Sequence, residues 1–146
     1  MKAEFARICA VLLGLVLCAA AQDLSPAVFG AKPPLLLVFG CFAGVPAAIC
    51  AGLFVDALSG LPFGCSPLVF AVAALVVRLS GPMGIFLAAI SAAAYQLWLV
   101  PWSAGGISWA AIACAMVLAA VLAPLTSSAL GLARRRIGID RKGGAA

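Results

Sequence analysis

The chain has no histidine and only four acidic residues, Glu4, Asp23, Asp56 and Asp140, which lie in four separate regions. The first absence removes the commonest zinc ligand. The six cysteines, Cys9, Cys18, Cys41, Cys50, Cys65 and Cys114, include no CxxC pair to replace it. Neither a metal site nor a cofactor is expected. The second absence leaves no paired carboxylates and no acid beside a base, so general acid–base catalysis has little to work with. No glycine-rich loop runs into GKS or GKT either, and the chain reads as non-enzymatic. Charge is scarce as a whole, at 9% of residues. An ion-coupled transporter usually carries more of it within its spans. So few polar residues also argue against a water-filled pore.

What the chain has instead is apolar surface. Hydrophobic residues make up 66% of it, and the mean hydropathy is +1.27. A soluble fold of 146 residues leaves too much of its surface facing water to hide so many apolar side chains. In lipid they can face outward. The expectation is an all-α, polytopic integral membrane bundle of five or six transmembrane helices, a single domain over 1–146 with a basic tail at 134–146. Most of the cysteines fall inside apolar runs, where they act as small hydrophobes. The alternatives are a disulfide or lipidation.

The first apolar run, Phe5 to Ala21, follows Lys2 and Arg7. It ends in Ala19-Ala20-Ala21-Gln22, which also suits a cleaved signal peptide. Because the rest of the chain is equally apolar, a retained helix is the preferred reading. Asp23 to Lys32 is a polar connection. Pro33 and Pro34 open a second stretch reaching Leu58, either one tilted helix or two short helices turning near Gly44-Val45-Pro46. Ser59 to Pro67 is rich in breakers and reads as a loop. Further apolar runs cover Leu68 to Leu79, Met83 to Val100 and Ile107 to Ala133, the last with a kink expected at Pro124. Thr126, Ser127 and Ser128 stand ready there to satisfy freed backbone groups. Trp98, Trp102 and Trp109 cluster at the turn after Val100 and mark one membrane surface.

Arg134, Arg135, Arg136, Arg141 and Lys142 directly follow the last span, so the C-terminus is expected in the cytoplasm, near anionic lipid headgroups. With no basic groove or aromatic platform, no nucleic-acid partner is expected. Six spans put eight of the nine cations inside, all but Lys32, whereas five spans put seven inside. Six is preferred. Arg78 is read as snorkelling to the cytoplasmic interface.

Asp56 is the most informative residue, because a carboxylate at membrane depth is costly unless paired or hydrogen-bonded. The favoured role is to accept N–H groups of the Ser59–Ser66 loop and fix it. The alternative is a solvated carboxylate at a helix end. Gly40, Gly44, Ala48, Gly52 and Asp56 recur every four residues. On one helix they form a stripe of small residues suited to close helix packing, within the chain or against a partner. Gln96, one turn after Ala92 and Ala93, is expected to hydrogen-bond across helices, with Tyr95 pointing elsewhere.

The segment Gly52-Leu-Phe-Val-Asp56-Ala-Leu-Ser59-Gly60-Leu-Pro-Phe-Gly64-Cys-Ser-Pro-Leu resembles the signature of the rod shape-determining protein family MreD. That family carries an apolar Gly-x-x-x-Asp-x-x-Ser-Gly-x-x-x-Gly segment before another apolar helix. Pro33 or Pro34 is similar to its proline ahead of the second helix. The resemblance covers about Pro33 to Leu79. Between the proline and Asp56 this chain is shorter than the family, and short for two complete spans. The resemblance implies a bacterial inner-membrane component of the cell-elongation complex with no catalytic activity. Its implied partners are an MreC-like protein, an MreB-like filament and cell-wall synthases. Its implied fold is that of the substrate-binding subunits of energy-coupling-factor vitamin transporters. Such a transporter subunit is the alternative function, and it would need a polar pocket. The candidates for one are Asp56, Ser59, Tyr95, Gln96 and Trp98.

Overall fold

A computed structural model of the chain describes residues 2–27, 32–102 and 108–143. Over these the fold is all-α. The helices are α1 (Lys2–Leu24), α2 (Leu35–Ala43), α3 (Val45–Ser59), α4 (Cys65–Leu79), α5 (Gly84–Leu99) and α6 (Trp109–Gly143). Single 3-10 turns, Gly81–Met83 and Val100–Trp102, flank α5.

The Pro33–Leu58 stretch is two helices that fold back on each other at Gly44. That residue has φ 124° and ψ 168°, a conformation essentially reserved for glycine. Pro46 follows in the first turn of α3, where its missing N–H costs little. A Cβ on Gly40 would lie 2.9 Å from the Ala48 Cα. In an unbroken helix those two residues would stand about 12 Å apart along the axis. The single-helix stripe of Gly40, Gly44, Ala48, Gly52 and Asp56 therefore does not form. The break puts Gly40 and Ala48 on facing arms, and their small side chains let the arms close. Gly44→Ala is expected to cost about 1–3 kcal/mol, the strain of a side chain in that backbone region. Thermal unfolding in detergent micelles measures it.

At nine residues, α2 is only about 14 Å long, less than half of a 30 Å hydrocarbon layer. It is nonetheless the hub, in contact with each of the other five α-helices. It buries Leu36, Leu37, Val38 and Cys41 at the centre of the core, and Phe39 packs its ring against Gly14 of α1. The core continues through Leu15 of α1, Phe70, Ala74 and Val77 of α4, and Ala88 and Ala92 of α5. On α6, Ala111, Ala115, Ala119 and Ala123 are all buried. This four-residue alanine stripe lies on the helix that packs against α5 and α2.

Other boundaries shift from expectation. Asp23 belongs to α1 rather than to a connection, and its carboxylate pairs with the Lys32 ammonium at 3.0 Å. The Gln22 side-chain oxygen accepts the Leu36 N–H at 3.1 Å and joins the end of α1 to the start of α2. The breaker-rich Ser59–Pro67 segment shrinks to a loop of Gly60–Gly64. Ser59 closes α3, and Ser66 and Pro67 enter the first turn of α4, where proline is tolerated. Helix α6 continues past Ala133 through the arginine cluster to Gly143. Around Pro124 the hydroxyls bond locally. Thr126 donates to the Leu122 and Ala123 carbonyls and Ser127 to that of Pro124, not to the Ala120 carbonyl that proline frees. Trp98 and Trp109 are exposed on either side of the α5–α6 turn, whose residues 103–107 lie outside the described residues. The side chains of Trp102, Lys2, Arg7 and the C-terminal cations lie outside them too.

Large apolar side chains also stand on the outer surface. Leu13 and Leu17 of α1, Leu75 of α4, Phe86 of α5 and Val117, Val121 and Leu125 of α6 are each at least half exposed. The segments Glu4–Leu24 and Trp109–Leu132 are long and apolar enough to cross a membrane. Helices α3, α4 and α5 are apolar but shorter, at 15, 15 and 16 residues.

Candidate functional site

The residues of the Gly52–Gly64 segment converge where α3 turns into α4. Helix α4 begins at a glycine N-cap, Gly64, which has no side chain with which to cap the helix. An uncapped helix start leaves four N–H groups without intrahelical partners. Here each is accounted for. The Gly64 N–H donates to Asp56 Oδ2 at 2.8 Å and the Ser66 N–H to Asp56 Oδ1 at 3.2 Å. The Cys65 N–H reaches the Pro62 carbonyl at 3.4 Å, and Pro67 has no N–H. Asp56, one turn before the end of α3, thus caps the next helix in the chain.

That position suits a buried acid. Asp56 is 1% exposed, and a carboxylate there is stable only if its oxygens are engaged. Two backbone donors and the positive end of the α4 dipole supply what water would otherwise supply. The loop-fixing role expected of Asp56 is the one these bonds perform, and Asp56 is not a solvated helix-end carboxylate.

Glycines make the approach possible. A Cβ on Gly52 would fall 2.4 Å from the Pro67 nitrogen and 2.5 Å from its Cα, so α3 and α4 touch backbone to backbone one turn below Asp56. Gly60 ends α3 with φ 67°, and Gly64 starts α4 with φ 104°, which places both turning points in the left-handed region. Ser59 is exposed at the end of α3, and Phe63 stands out from the loop at 77% exposure.

A third helix is tied in through Tyr95, which had been expected to point away. Tyr95 is buried, its hydroxyl lies 2.9 Å from that of Ser66, and its ring meets Phe70 edge-on at 5.0 Å. Sequence reasoning had Tyr95 as a pocket candidate and the Ser66 N–H as a donor to Asp56, and missed the bond between their hydroxyls. A signal existed for the inward position of Tyr95: Ala88, Ala92 and Tyr95 are spaced four and three apart and share the inward face of α5. For the Ser66 hydroxyl there was none, because the segment holding it reads as loop. The side chain of Gln96, the residue expected to bond across helices, makes no hydrogen bond among the described residues. It lines a cavity of about 210 Å³ with Gln22, Lys32, Ser59 and Tyr95. Asp56 and Trp98 do not line it.

Of the residues singled out from sequence, Gly52, Asp56, Gly60 and Gly64 form one lock, while Ser59 and Gln96 belong to the cavity beside it. Gly40, Gly44 and Ala48 belong to the α2–α3 hairpin. Gly40, Ala48 and Gly52 are all buried, so they present no outer face to a partner. Among the described residues, no group of three or more potential metal ligands gathers.

No family model, curated protein or solved structure matches this chain.

Proposed function

We propose that this chain is a non-enzymatic, multi-pass component of the bacterial inner membrane, similar to MreD. In this reading it scaffolds the cell-elongation complex through an MreC-like protein, an MreB-like filament and cell-wall synthases. The observation that carries the reading is the α3–α4 lock. The residues that bear the family resemblance, Gly52, Asp56, Gly60 and Gly64, are the ones that close these two helices and fix the loop presenting Phe63. With Asp56 and Gly52 buried, the surface offered to a partner is the loop they hold.

The lipid setting rests on the large apolar side chains exposed along α1, α4, α5 and α6, more than the scattered single ones normal on a soluble monomer. The direction of the helices supports the orientation. The Gln22–Leu36 bond joins the end of α1 to the start of α2, and the chain then reverses at Gly44 and again at Gly60–Gly64. The start of α1, the Gly44 turn, Arg78 and the end of α6 consequently share one end of the bundle. Among the cations whose side chains are described, Lys32 lies at the other end from Arg78, and the end of α6 lies with Arg78, which favours a cytoplasmic C-terminus.

Gentle affinity purification of the tagged chain from its native membrane, followed by mass spectrometry, tests the proposal. An MreC-like protein and cell-wall synthases are expected to co-purify, and Asp56→Ala or Gly60→Leu is expected to lower their recovery several-fold. Unchanged recovery in both variants counts against the scaffold role. The cavity beside Gln96 favours a second reading, a substrate-binding subunit of an energy-coupling-factor transporter. Recovery of transporter ATPases in place of synthases would establish that one.

A further inference from the structure

From the cavity between the ends of α1, α3 and α5 and the start of α2, we infer that the chain binds a small monocarboxylate with an apolar body. The walls are apolar: Leu37, Val55, Phe70 and Leu99 line the cavity along with Pro34. Two of the polar groups are left only to donate, while Ser59, Tyr95 and Gln96 can donate or accept. Lys32 is the only charged residue among the described residues of the lining, and its ammonium spends one of three N–H groups on Asp23 at 3.0 Å. The Gln22 oxygen is committed to the Leu36 N–H, which leaves its amide N–H₂ to donate. The Gln96 side chain has no partner among the described residues and adds a second amide. Among the described residues, no carboxylate lines the cavity.

An uncharged, fully apolar guest would leave the amides of Gln22 and Gln96 unmatched, and a cation would meet Lys32. A carboxylate satisfies all three, with its hydrocarbon part against Phe70 and Leu37. The cavity's 210 Å³ equals the liquid volume of roughly seven waters, room for a guest of about ten non-hydrogen atoms. Benzoate and 4-methylvalerate are of that size. Tyr95 is a wall of this cavity and also the hydrogen-bond partner of Ser66, so an occupant touches a residue of the Asp56 lock.

The test uses the full chain purified in detergent micelles, titrated separately with benzoate, 4-methylvalerate and benzyl alcohol and followed by ligand-observed saturation-transfer NMR. Saturable binding of at least one of the two carboxylates is expected, with none for benzyl alcohol. Lys32→Ala and Gln96→Leu are each expected to weaken it at least fivefold. Lys32 is exposed and Gln96 only half-buried, so both variants are expected to fold, and circular dichroism checks this. No saturable binding of either carboxylate overturns the inference, as does binding indifferent to both substitutions, which would be partition into the micelle. The site does not depend on the scaffold reading. Binding is measured on the isolated chain, and a failure to recover an MreC-like partner leaves it unaffected.

Discussion

Gly52→Ala is expected to destabilise the protein by about 2–4 kcal/mol, although the same change in most exposed helix interiors is favourable. The added methyl would sit 2.4 to 2.8 Å from the Pro67 nitrogen, the Pro67 Cα and the Ser66 carbonyl carbon. All three are backbone atoms in the first turn of α4, and none belongs to a side chain that can swing aside. Relief requires moving α3 from α4 by something near 1 Å. Overpacking of this kind costs roughly 1–3 kcal/mol. The same movement stretches the bonds from Gly64 and Ser66 to Asp56, now 2.8 and 3.2 Å, and each bond to a charged group is worth about 1.5–3 kcal/mol. Against this stands the helix-propensity gain of alanine over glycine, about 1 kcal/mol. The natural control is Gly131→Ala on α6, where an added Cβ meets nothing within 4 Å and only the propensity gain remains. Thermal unfolding of both variants in the same micelles decides the matter. A Gly52→Ala protein as stable as Gly131→Ala would mean that α3 and α4 do not meet this closely.

How far the sequence revealed this arrangement depends on the residue. Asp56 was legible because a lone acid in an apolar run must be compensated, and the nearest donors are the N–H groups of the glycine-rich segment after it. The turn at Gly44 was legible only as one of two options. Gly44 and Pro46 permit a kink within one helix as well as a reversal, and what decides for reversal is the fit of Gly40 against Ala48, a contact between arms that no local pattern encodes. The start of α4 was misread because Ser66 and Pro67 are breakers in isolation but ordinary in a first helical turn, once Asp56 caps from outside. The inward position of Tyr95 is unexpected because its neighbour Gln96 is the more polar residue. The tyrosine goes inward since its ring can pack on Phe70 while its hydroxyl finds Ser66, whereas the Gln96 amide, with no such partner in the core, faces the cavity. Of the cavity's polar residues, Ser59, Tyr95 and Gln96 were legible as pocket candidates, whereas Gln22 and Lys32 were not, because they join the others only after four helix ends are brought together.

Asp56 itself gives the second large effect, and a pair of substitutions separates its possible contributions. Asp56→Ala leaves the Gly64 and Ser66 N–H groups facing a void. Ser66 is fully buried, so water does not readily replace the oxygen lost there and its unsatisfied donor costs about 1–3 kcal/mol, while the N–H of exposed Gly64 loses a bond to a charged group worth about 1.5–3 kcal/mol. Removing the acid also removes the cost of burying it, which offsets part of that loss. A net loss of about 3 kcal/mol is expected, a large share of the 5–15 kcal/mol by which a typical domain is stable. Asp56→Asn keeps one acceptor oxygen but turns an N–H₂ group toward the second donor and gives up the charge at the start of α4. It should fall between the parent and Asp56→Ala, at a loss of about 1.5–2 kcal/mol. Chemical or thermal unfolding in micelles gives the order. If Asp56→Asn matches the parent, the charge contributes nothing and a single acceptor is enough. If Asp56→Ala also stays within about 0.5 kcal/mol of the parent, the cap does not hold the helices together. Partner recovery should follow the same order, because the Phe63 loop hangs between Gly60 and Gly64 and only the Gly64 end is fastened by Asp56. A variant that keeps its stability but loses its partner would instead mean that the carboxylate positions the loop without contributing to the fold. Asp56→Asn is the substitution for finding that split, since it removes one bond to the loop and leaves a side chain of nearly the same volume in the core.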